Sequence, residues 1–84
     1  MNYIDVTDED IQRFYRLITN NIKRYRKAKG VTQLDLALTI GHKSMSTIGK
    51  IEAGLENKHY NLEHIYKISK ALNIDICEII KYKE

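Results

Sequence analysis

Proline is absent from this 84-residue chain, and glycine occurs only four times. Few positions therefore forbid a helix or demand an unusual backbone, so helices joined by short connections are favoured. The single cysteine, Cys77, excludes an internal disulfide and fits a reducing compartment. It reads as a packed or half-buried small residue rather than a redox switch. No apolar run approaches the ~20 residues that a membrane-spanning helix needs. The opening stretch, MNYIDVTDED, is acidic and lacks the basic and apolar regions of a secretory signal. A cytoplasmic protein with no membrane partner is expected. The length suits one small domain, 1–84, large enough to fold alone if its apolar faces pack well.

Excess charge is also scarce, at +3, but its distribution is uneven. Residues 1–18 carry two arginines against four acids. Residues 19–60 carry eight Lys/Arg against three acids, and residues 61–84 carry four against four. A basic centre points to an anionic partner, with an ordinary solvated surface as the alternative.

Helix starts repeat one signature. Thr7 precedes Asp10 by three, with Val6 and Ile11 flanking as a hydrophobic staple. Thr32 and Asp35 stand in the same relation inside Val31 and Leu36, as do Asp75 and Glu78 inside Ile74 and Ile79. In each, a cap oxygen can accept from a free N–H three residues on. Asn61 is a fourth cap.

The first helix is predicted from about Asp8 to Lys29. Its inward stripe is Ile11, Phe14, Tyr15, Ile18, Ile22 and Tyr25 at helical spacing. The phase runs through Thr19-Asn20-Asn21, which favours one long helix, with the asparagine pair as a candidate break. Gly30 closes it. A second helix runs from Gln33 to about Ile40, closed by Gly41, and a third from about Met45 to Ala53, closed by Gly54. The polar loop LENKHY follows. The fourth helix spans about Leu62–Leu72 with Leu62, Ile65, Ile68 and Leu72 inward, and Asn73 turns it. The fifth covers about Ile76–Tyr82. Two short central helices joined by a tight turn are the helix-turn-helix pattern.

The segments RKAKGVTQLDLALTIG, STIGKIEAG and LEHIYKISKALNIDICEII, in this order, resemble the Cro/phage-repressor (Xre-like) helix-turn-helix domain over roughly residues 18–80. The resemblance implies an all-α, five-helix bundle with a central helix-turn-helix (32–53) and a C-terminal helical pair (61–82). The first helix would be lengthened by an N-terminal extension (1–17). It implies that small Ala37 sits where the two short helices cross, that Ile48 and Ile51 face the core, and that Arg26 and Glu52 form an ion pair.

By the same resemblance, Gln33 contacts a DNA phosphate. Met45, Ser46 and Lys50 reach base edges, with Thr47 and Gly49 beside them. Helical geometry agrees: if Ile48 and Ile51 face inward, then Met45, Ser46, Gly49 and Lys50 face mostly outward, toward a major groove. Lys43, Ser44, Asn57, Lys58 and His59 are further candidates for phosphate contact. The implied ligand is double-stranded DNA with a pseudo-palindromic operator, bound by a homodimer through Ile76, Ile79, Ile80 and Tyr82.

Two departures stand out. The turn into the third helix is one residue longer than usual, with His42 or Lys43 in place of an apolar residue. The loop after it is also longer. Leu34 and Leu38 stand where the family has polar residues, four apart on one helix face. They are expected to lie under the N-terminal extension, around Tyr3 to Tyr15, or else to meet a protein partner.

No cofactor is expected, and His42, His59 and His64 lack the companions of a metal site. No nucleophile–base pair, phosphate-cradling glycine loop or carboxylate dyad supports an enzyme. The sequence closes just after the fifth helix, which predicts a regulator without a separate ligand-sensing domain. The leading expectation is a small dimeric repressor or controller protein. The alternative is a protein-interaction module such as an antitoxin or adaptor.

Overall fold

A computed structural model describes residues 4–82. Five α-helices follow in order: α1 Asp8–Ala28, α2 Gln33–Thr39, α3 Ser46–Ala53, α4 Leu62–Ala71 and α5 Ile76–Ile80. No strand occurs among the described residues. α1 is continuous through the asparagine pair and, at 21 residues, about 31 Å long.

Three helices open on reciprocal capping boxes. Thr7 and Thr32 each accept from the N–H three residues on, and Asp10 and Asp35 return the bond. At α4, Asn61 Oδ1 accepts from the His64 N–H at 2.8 Å, and the Asn61 N–H donates to His64 Nδ1 at 3.2 Å. Asp75 departs from the expected form. It accepts from the Cys77 N–H, two residues on, at 2.8 Å. Glu78 is drawn away by the Tyr25 hydroxyl at 2.7 Å and Lys81 at 3.2 Å. Gly54 ends α3 at φ 72°, where a side chain would be strained, and this lets the Leu55 N–H close back on the Lys50 carbonyl at 2.9 Å.

α1 packs on α3 and α5, α2 on α3 and α4, and α4 on α5. Ile22, Leu36, Ala37, Ile48, Ile68 and Ile79 at their junction are fully buried. Each large aliphatic side chain there contributes about 1.5–3 kcal/mol of burial. Buried Asn21, in the asparagine pair, is a lock. Its Nδ2 donates to the carbonyls of Ile79 and Lys81, each at 2.8 Å, fastening the end of α5 to α1.

Several expectations need correction. Leu62 continues the apolar phase of α4 but is 85% exposed, because the first turn of the helix projects past the core. Val6, Ile11 and Phe14 are likewise exposed, since the outer end of α1 overhangs its partners. Cys77 is exposed on the short α5. Tyr60, from the polar loop, is instead a core residue. Leu34 and Leu38 remain exposed. The start of α1 shares a cleft with Tyr60, Leu62 and Ile65 and leaves Leu34 and Leu38 uncovered; Tyr3 is outside the described residues.

Candidate nucleic-acid interface

The central helix pair is built around Ala37, fully buried between α2 and its neighbours. Ile48 and Ile51 anchor α3 to the core. That choice of inner face turns Met45, Ser46 and Lys50 outward, with Met45 and Ser46 exposed and Thr47, Gly49 and Lys50 half-buried. Lys43 and Ser44 precede α3 on the exposed turn, and the Ser44 and Ser46 hydroxyls share a hydrogen bond of 2.9 Å.

Behind this face lies a buried polar cluster. Arg26 donates through Nε to Glu52 Oε2 at 2.8 Å and through Nη2 to Oε1 at 2.9 Å. Its Nη1 reaches the Val31 carbonyl at 2.9 Å. Such a two-pronged pair fixes orientation as well as distance. Gln33 joins it, donating from Nε2 to Glu52 Oε1 at 2.9 Å. Burial pushes the Glu52 carboxyl upward, but the hydrogen bonds from Arg26 and Gln33 outweigh it and hold the group below the usual range. The cluster thus ties α1, the start of α2 and α3 into one unit. Gln33 also faces Gly49: a Cβ added at Gly49 would meet the Gln33 Oε1 at 3.9 Å.

Lys50 is the one cation on the outer side of α3, and it is not free. Its Nζ lies 2.9 Å from Glu56 Oε2, in the loop after the helix. Glu56 and Asn57 both adopt positive φ, at 56° and 51°, and this turn brings the carboxylate back toward α3. The hydrogen bond from Lys50 lowers the Glu56 carboxyl below its ordinary range. Asn57 and Lys58 are exposed on the same loop. His59 is half-buried, with its ring stacked on Tyr15 at 3.6 Å and 6°.

The structure separates other candidates. Ile79 is fully buried inside the protomer and offers no side chain to a second copy, whereas Ile76, Ile80 and Tyr82 are exposed. His42 and His64 meet edge to face at 5.8 Å, whereas His59 stacks on Tyr15. Among the described residues, no group of three or more His, Cys, Asp or Glu could hold a metal ion. No described helix is long and apolar enough to cross a membrane.

Sequence reasoning missed the Gln33–Glu52 bond, Glu56 and the setting of Tyr60. The Tyr60 hydroxyl is buried and finds no hydrogen-bond partner among the described residues. Burial, then the Glu52 carboxylate, pushes its ionisation well above the ordinary range. No local signal marks the first or third of these, because the partners are distant in sequence. The run Gly54-Leu55-Glu56-Asn57 did carry a turn signal for the second.

With this arrangement in view, comparison with known proteins becomes informative. A helix-turn-helix family model matches residues 22–79. The chain belongs to the Cro/C1-type helix-turn-helix family. It is a family of DNA-binding regulatory domains. The helix-turn-helix domain is also similar to a UPF0597 protein of Finegoldia magna, with 32% identity over 72 residues. That match spans 86% of this chain but only 16% of the Finegoldia protein. No solved structure gives a significant match. The matched family segment begins within α1, so the outer turns of that helix lie beyond it.

Proposed function

We propose that this helix-turn-helix domain reads duplex DNA sequence-specifically as a small dimeric transcriptional regulator, a repressor or controller protein. The observation that carries the reading is the outward face of α3, held on the Arg26–Glu52–Gln33 cluster with Lys50 as its strong donor. Lys50 can donate to guanine O6 and N7, Met45 can pack on a thymine methyl, and Gly49 allows close approach of the backbone. Glu56 holds the Lys50 ammonium in one place, so less side-chain freedom is lost on docking. Gln33 has a second amide N–H for a phosphate, and Lys43, Ser44, Asn57, Lys58 and His59 are placed around α3 as further phosphate contacts. One such module makes few base contacts. Two, paired through Ile76, Ile80 and Tyr82, would span half-sites about 34 Å apart on a pseudo-palindrome.

Titration with short duplexes at several salt concentrations tests this. Affinity should fall steeply with salt. Gln33→Ala should weaken all duplexes alike. Lys50→Ala should shift base preference by about 1–3 kcal/mol. A flat salt response, or a Lys50 variant with unaltered preference, counts against the reading. A second reading, a protein-interaction module, is favoured by Leu34 and Leu38, which are 43% and 57% exposed on α2.

A further inference from the structure

Two clefts lie between α1 on one side and α3 with its flanking segments on the other. One, of about 250 Å³, is lined by Arg16 and Asn20 from α1 and by Asn57 and Lys58 from the loop after α3. The other is lined by Lys23 and Lys27 from α1 and by Gln33 and Gly49 opposite. They meet at Glu52 and Ala53, which line both.

Arg16, Lys23 and Lys27 stand at i, i+7 and i+11, which keeps them on one face of α1. Together with Lys58 they place four cations along one trough, and none of the four has an ion-pair partner among the described residues. Among the described residues, the only carboxylate lining either cleft is Glu52. Its oxygens are taken by Arg26 and Gln33, and its side chain is 4% exposed. The cations lining the trough outnumber its one carboxylate, so it favours an anion. From Arg16 to Lys27 is about 16 Å along the helix. That length is enough to lie along a few successive phosphates of one strand. A single small anion would engage only part of it; a repeating one would engage all.

We infer that α1 carries a second nucleic-acid contact, a track in which Arg16, Lys23, Lys27 and Lys58 grip one phosphate backbone of the duplex that α3 reads. The inference rests on the duplex-reading proposal above. Arg16 lies outside the matched family segment, so the lengthened α1 adds a grip of its own. The track carries affinity and orientation, because phosphate contacts position the protein while base contacts specify.

The test compares Arg16→Ala, Lys58→Ala and their double variant with wild type on a preferred and a scrambled duplex across a salt series. Lys70→Ala, which lines neither cleft, serves as the control. Each track variant should lower affinity about three- to tenfold for both duplexes and reduce the salt slope by about one, and the double variant by about two. Circular dichroism checks that all remain folded. If Arg16→Ala and Lys58→Ala bind like Lys70→Ala while Gln33→Ala still weakens binding, the track is wrong and the α3 reading stands. If wild type binds no duplex, both fall. Inorganic phosphate is titrated separately, followed by amide shifts at residues 16 and 58. Saturable phosphate binding with duplex affinity unmoved by Arg16→Ala would assign the cleft to a free phosphorylated ligand and overturn the track.

Discussion

Replacing Arg26 by Ala tests the framework behind the proposed reading face. The Arg26 and Glu52 side chains are 9% and 4% exposed, so this is a buried pair. Removing one partner of such a pair typically costs about 3–5 kcal/mol, because a buried charge is left uncompensated. Gln33 still donates to Glu52 in the variant, which places the loss near the lower end, about 3 kcal/mol. For a domain of this size each kcal/mol moves Tm by about 4–8 °C, so a drop of about 12–24 °C is expected.

The sign with pH follows from linkage. In the wild type the Glu52 carboxyl titrates below its unfolded value, so it stabilises above that value and the contribution fades as pH falls through the folded one. In Arg26→Ala burial dominates and the carboxyl titrates above its unfolded value, so the variant gains relative stability on acidification. The deficit should therefore be large at pH 7 and shrink toward pH 4. Thermal and urea unfolding followed by far-ultraviolet circular dichroism reads both. A deficit under about 1 kcal/mol at pH 7, or one independent of pH, would refute the reasoning.

Three further outcomes are expected. Asn21→Ala strands the Ile79 and Lys81 carbonyls and should cost about 1–3 kcal/mol, with hydrogen exchange rising first in α5; uniform exchange would show that Asn21 does not lock that helix. Tyr60→Phe removes a buried hydroxyl without a partner, so stability should be unchanged or up to about 1 kcal/mol higher; a loss above that would reveal a hydrogen bond to ordered water. His64 is held neutral, first by burial and then by His42, so its ionisation lies below the ordinary value of 6.5. The unfolded chain then binds the extra proton, so stability should fall as pH drops below about 6.5 and level off under the folded value. His64→Gln, which can complete the Asn61 capping box, should remove that dependence; an unchanged profile in the variant would place its origin elsewhere.

What the sequence made legible was local or periodic. Thr7, Thr32 and Asn61 cap their helices through atoms three residues away, and such bonds can be read from a short window. Ile18 and Ile22 on α1, and Ile65 and Ile68 on α4, each share a face by spacing, and those faces are buried; the family resemblance pointed to Ile48 and Ile51, which are buried as well. Periodicity tells which way a side chain points, but not whether anything stands opposite. Leu62, Ile11 and Phe14 keep the phase and still meet solvent at helix ends. Ile79 shows the converse: a five-residue helix gives too little pattern to separate its inner side chain from the outer Ile76 and Ile80. Asn21 looked like a break because its partners lie 58 and 60 residues away. At the proposed reading face, the family resemblance pointed to Lys50 and Gln33. Only folding brings Glu56 to the first and Glu52 to the second.

The central claim is that the outward side of α3 reads duplex sequence. Selection of bound sites from random duplex DNA, run in parallel with wild type and Lys50→Ala, tests it most directly. The account predicts enriched half-sites in pseudo-palindromic order, about one helical turn apart, for the wild type. For Lys50→Ala it predicts relaxed preference at one position in each half-site. No enrichment with the wild type, or the same enriched sequence for both proteins, would contradict it.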